Sequence, residues 1–165
     1  MLYSPSANAT GSRSGEGNHP YPSFTALQNV GVGAAVQHSL QMISQREADV
    51  RAWAHLATAS DLPEADSLTG PLAGVPFAVK DVINVAGMPT RCGSPATETS
   101  AVPFNAACVE LLVRAGAVPV GKAVTAEFAF RHPGPTRNPR NLAHTPGGSS
   151  SGSAAAVAAG MVPLA

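Results

Sequence analysis

The stretch Asn105-Ala-Ala-Cys-Val-Glu-Leu-Leu-Val-Arg-Ala-Gly-Ala-Val-Pro-Val-Gly-Lys122 decides the fold class. Asn105 stands where a helix N-cap belongs, and Val109, Leu112 and Val113 recur as an apolar helical stripe. Gly116 follows as the left-handed residue that ends a helix, a conformation glycine takes without a Cβ penalty. Ala117 to Val120 then reads as a short, apolar, buried strand. Upstream, Val75 to Val79 is a second such run, bounded by Gly70-Pro71 and Gly74 and ending in Lys80-Asp81. Strand, helix, strand with both strands apolar specifies a parallel α/β layer.

Working outward, residues 1–22 are Ser, Gly, Asn and Pro with few apolar anchors, the composition of a loose tail. Residues 23–60 read as an N-terminal helical segment. Leu27, Val30, Ala34, Leu40 and Ile43 fall near a 3.6 period, and Val50, Trp53 and Leu56 continue it as a second helical piece. Asp61 to Gly70 is a polar linker containing Pro63, and residues 61–165 carry the α/β part. On the C-terminal side, Ala123 to Phe130 reads as a short helix with Glu127 near its middle. Arg131 to Pro146 is a long irregular stretch with four prolines, the kind of loop that usually carries function. It opens into Gly147-Gly148-Ser149-Ser150-Ser151-Gly152-Ser153 and then Ala154 to Ala159, a strong helix former. The glycine-serine loop therefore stands at a helix N-terminus. Met161 to Ala165 reads as the opening of another strand, so the sheet is expected to continue past the last residue.

Composition narrows the function. Ten basic and ten acidic residues cancel, which argues against electrostatic capture of nucleic acid or of an anionic membrane. No apolar run reaches the roughly 18 residues of a membrane span, and no charged segment followed by an apolar core marks a secretory signal. Cys92 and Cys108 make neither a disulfide framework nor a metal cluster; small buried hydrophobes in a reducing cytoplasm is the ordinary reading. Charged residues are only 12% of the chain, so part of its surface is expected to lie against further chain, a partner subunit or a second copy.

Three features carry candidate chemistry. Gly116 to Lys122 matches the opening of a phosphate-binding loop, but Ala123 stands where a Ser or Thr would hold magnesium, and the residues between the glycines are strand. It is set aside. The Gly147–Ser153 loop has the composition of a flexible linker, yet it opens directly into a helix, where backbone N–H groups suit an anion or a developing oxyanion. Lys80 ends an apolar strand, ordinarily a solvated charge. Burial would instead favour the neutral amine, a base able to activate a serine without histidine. The five histidines have no metal-ligand spacing, although His132 and His144 flank the irregular loop and could support the serines.

Taken together, Gly70-Pro-Leu-Ala-Gly-Val-Pro-Phe-Ala-Val-Lys80-Asp81, Leu111 to Lys122, Glu127-Phe128-Ala129, Asn138-Pro139 and Thr145-Pro146-Gly-Gly-Ser149-Ser-Ser-Gly-Ser-Ala-Ala-Ala resemble the amidase signature family of serine hydrolases. The resemblance covers roughly residues 46–165. It implies an α/β fold with a mixed central sheet covered by helices on both faces. It also implies a Ser–cis-Ser–Lys triad with no metal or cofactor, acting on a small-molecule amide. Lys80 maps onto the general base. Ser149 maps onto the relay serine, preceded by a cis peptide bond that costs about 3 kcal/mol and persists only where its surroundings enforce it. Gly147, Gly148 and Ser150 map onto the loop that supports the relay and borders the substrate. Asn105 replaces a common aspartate. The family nucleophile falls beyond Ala165, so these residues are expected to form the front part of the domain and to be inactive alone. Three readings stand: an amide hydrolase, the glutamine-hydrolysing amidase subunit of a tRNA-dependent amidotransferase, and a non-catalytic remnant.

Overall fold

A computed structural model describes residues 31–165. The tail at 1–22 and the positions Leu27 and Val30 lie outside the described residues. Helix α1 spans Ala34–Val50 and buries Val36, Ser39, Ile43 and Val50 along one face. It ends at Arg51, whose φ of 55° turns the chain left-handed. The Glu47 carboxylate accepts the next two amides, Ala52 N–H at 2.8 Å and Trp53 N–H at 3.0 Å, and so redirects the chain.

The second helical piece expected after this turn is not formed. Trp53–Leu56 is strand β1, pairing antiparallel with strand β3 at Val118–Ala123. The three-residue spacing of Val50, Trp53 and Leu56 imitates a helix, but the turn at Arg51 breaks it, and β3 supplies partners for the strand's backbone. The linker at 61–70 is less irregular than its polarity suggests. Thr58 and Asp61 form a reciprocal cap on a 3₁₀ turn, and Leu62 and Leu68 pack against the core.

Strand β2 is Pro76–Lys80 and runs parallel to β3. The sheet order is β1-β3-β2, and its mixed character matches the expectation. Helix α2, Ala107–Arg114, places Val109 and Leu112 against Phe77 and Val79 on one face. On the other face α1 and helix α3, Ser151–Ala158, pack Ile43, Ala155 and Ala156 against Ala78, Val118 and Val120. Helices thus cover both faces.

Gly116 closes α2 as predicted. Its amide reaches Val113 O at 2.9 Å and that of Ala117 reaches Leu112 O at 3.0 Å, while Gly116 itself sits at φ 94°. Asn105 does not cap the helix; Ala106 occupies that position. One residue too early, the Asn105 side chain instead accepts Ala86 N–H at 2.8 Å and donates to Glu110 at 3.0 Å. The expected helix at 123–130 is only a 3₁₀ turn, Glu127–Ala129, because β3 claims Ala123 and Phe128 adopts φ 48°. The C-terminal strand is confined to one parallel bridge, Leu164 to Phe77, with Ala78 N–H on Leu164 O at 3.0 Å. It lies on the edge of β2 opposite β3. Cys108 is exposed and Cys92 half-buried, so neither is the core filler expected, and both thiols are free. No helix among the described residues is long and apolar enough to cross a membrane.

Candidate active site

Lys80 is the last residue of β2, half-buried at the strand's C-terminal end, where the crevices of α/β sheets form. Its Nζ donates to Ser149 Oγ at 2.8 Å. The two residues stand 69 positions apart, and two features of the local sequence bring them together. Gly147 and Gly148, at φ 80° and 62°, turn the loop toward the strand ends. Gly152 then lets α3 dock: its amide donates to Val124 O at 2.9 Å, and a Cβ there would collide with Ala52 O and Val124 N. Ser149 is held between these points, its carbonyl accepting Ala126 N–H at 3.0 Å.

The expected cis bond before Ser149 is not present, for none of the described peptide bonds is cis. The paired left-handed glycines reverse the chain instead, and the hydroxyl reaches Lys80 across an ordinary trans peptide. Ser150 is the residue preceding α3, and it lines a pocket of 330 Å³ with Lys80, Phe77, Ile83, Leu112 and Leu164. The pocket lies along the β2 edge, apolar except where Lys80 and the serines enter it. Gly147 N–H turns inward to Thr145 Oγ1 at 3.2 Å, so that amide does not serve the anion site considered from sequence. His132 and His144 are exposed and join the loop through backbone bonds to Glu127 and Asn138. Neither imidazole is a partner of Lys80 or Ser149.

The structure also reveals residues that sequence reasoning passed over. Asp81 and Lys122 form an ion pair at 2.9 Å with side chains 1% and 0% exposed. An extra residue in β3, where Phe77 opposes Pro119 but Ala78 opposes Gly121, re-aims Lys122 toward Asp81. The lysine of the apparent phosphate loop is therefore locked inside the protein. The one signal for it was a lysine in an apolar strand, which requires a buried partner.

A model of the amidase family matches residues 34–165. The A-subunit of glutamyl-tRNA(Gln) amidotransferase from Methanosarcina mazei is 54% identical over 102 residues, covering 58% of this chain and 21% of that protein. The crystal structure of the corresponding A-subunit from Thermotoga maritima superposes with a TM-score of 0.71 at 40% identity, over 79% of this chain and 29% of that one. The peptide amidase of Stenotrophomonas maltophilia superposes with a TM-score of 0.70 at 33% identity, over 84% and 33% respectively. The chain spans about a fifth of the length of the curated relatives it matches. With a family model covering most of its length, and with lysine and serine brought together as the motifs require, this chain belongs to the amidase family.

Proposed function

We propose that this chain supplies the base and the proton relay of a serine hydrolase acting on amide C–N bonds. The bond of 2.8 Å between Lys80 Nζ and Ser149 Oγ carries the reading. Neutral Lys80 takes the Ser149 hydroxyl proton while Ser149 Oγ takes that of the nucleophilic serine, which the family places further along the chain. The freed alkoxide attacks the amide carbonyl, and the relay returns a proton to the departing amine. Water then cleaves the acyl-enzyme through the same two groups. Gly147 and Gly148 set the relay's backbone, and Ser150 borders the substrate.

The test is hydrolysis of a small amide by the full-length protein, its Lys80→Ala variant and its Ser149→Ala variant. Loss of kcat by about 10³-fold or more in both is expected. A Lys80→Ala enzyme that keeps its turnover rejects the reading.

A second reading follows from the 54% identity to an amidotransferase A-subunit. Here the amide is glutamine, the released ammonia passes to a tRNA-dependent partner, and the site works only with its partner subunits bound. The cytoplasm, where tRNA is charged, is the compartment it implies. Ammonia release from glutamine that rises on adding the partner subunits favours this reading; hydrolysis of simple amides without them favours the first.

A further inference from the structure

We propose that Asp81 and Lys122 are positioning residues, an internal clamp that holds Lys80 and Ser149 at hydrogen-bonding distance. A buried ion pair is a poor stabiliser, since apolar residues of similar volume usually do as well, so stability alone does not account for it. The geometry does. Lys122 Nζ uses all three donors, on Asp81 Oδ1 at 2.9 Å, Pro89 O at 2.9 Å and Thr90 Oγ1 at 2.8 Å. Asp81 receives Arg91 N–H on its carboxylate at 3.2 Å and Cys92 N–H on its carbonyl at 2.8 Å, and it gives its own N–H to Ala123 O at 2.9 Å. Together they fasten the 89–92 loop to the ends of β2 and β3.

That loop leads to Ser149. Cys92 O accepts Phe128 N–H at 2.7 Å, and Ser94 Oγ donates to Glu127 at 2.6 Å, fixing the turn at 126–128. From this turn Ala126 N–H reaches Ser149 O at 3.0 Å. In the other direction Asp81 is covalently next to Lys80. One clamp thus grips both members of the pair, and an apolar pair of equal volume could not hold the loop's oxygens in direction.

The kinetic arm rests on the amide-hydrolase reading; the structural arm does not. In the full-length protein, Lys122→Met strands a buried carboxylate and should lower the thermal midpoint. The double variant Asp81→Asn/Lys122→Met should recover most of that midpoint, yet keep kcat about 10²-fold below wild type, the loss an ångström of misplacement produces, at nearly unchanged KM. If kcat recovers along with the midpoint, the pair is merely structural and the proposal is overturned. Should the double variant fail to fold, Thr90→Val removes one acceptor and leaves the ion pair. It should lower kcat severalfold with a fall in midpoint smaller than that of Lys122→Met, and wild-type kcat there overturns the proposal. If the wild-type protein hydrolyses no amide, the function reading fails, and crystal structures of wild type and variant decide the clamp. A Lys80 Nζ–Ser149 Oγ separation that opens in the variant supports it; one that stays put rejects it.

Discussion

The chain has two lysines, and they sit on neighbouring strands one rung apart, Val79 opposite Lys122 and Lys80 opposite Ala123. Lys122 is sealed, its three donors on three acceptors, one of them the Asp81 carboxylate at 2.9 Å. Lys80 is half-buried, bonded to a single hydroxyl, and open to a pocket. The same side chain is a rivet in one place and a reagent in the other. What separates them is the number and charge of the groups presented to the amine. A serine oxygen can give or take a proton, whereas a full set of fixed acceptors holds an ammonium as it is.

Substitutions at the two lysines should therefore part company. Lys80→Met should abolish amide turnover by about 10³-fold or more while changing stability by less than about 1 kcal/mol, as for a partly exposed side chain with one partner. Lys122→Met should cost about 3–5 kcal/mol of stability, because it leaves the Asp81 carboxylate buried and unpaired. Parallel denaturant titrations and kcat measurements on the full-length variants check both, and equal stability losses at the two sites would erase the distinction.

Glycines around Ser149 extend the contrast at smaller scale. At Gly152 a Cβ has no space, so Gly152→Ala should cost about 1–3 kcal/mol and displace the serine from Lys80. At Gly147 a Cβ would meet nothing, and only the φ of 80° resists substitution, a penalty of about 1–2 kcal/mol. The sharper measurement is activity: Gly152→Ala should lose more turnover per unit of stability than Gly147→Ala. The reverse order would place the loop's control at the glycine pair rather than at the docked helix.

How much of this was legible in the sequence depended on range. Gly116, the strand ending at Lys80 and the alanine-rich part of α3 were readable because their signals lie within a few residues of each other, although α3 starts at Ser151, inside the expected loop. Trp53–Leu56 was not, because its spacing fits a helix and only the distant β3 makes it a strand. The Lys80–Ser149 pairing came through motif resemblance rather than periodicity. Asp81 and Lys122 stayed hidden for the same reason as β1: their contact spans 41 residues and depends on a bulge that flips one side chain across the sheet. Asn105, one position before the cap, shows how a capping residue type answers to what lies across the loop.

Glu47 offers the mildest test of the theme that burial alone does not decide what a charged group does. Burial raises its carboxyl above the ordinary range, and the amides of Trp53 and Ala52 pull it back without prevailing. A raised folded-state value means that the folded protein holds the proton more tightly than the unfolded chain. The associated stability is present below the unfolded value and is lost as pH rises through the folded one. Glu47→Gln removes this titration and keeps one acceptor for the two amides. The stability advantage of wild type over Glu47→Gln should therefore widen as pH falls from neutrality through the carboxylate range, read as the difference in thermal midpoint. A gap that narrows toward acid would mean that the two amide bonds outweigh desolvation. Partners rather than burial would then set the charge of Glu47.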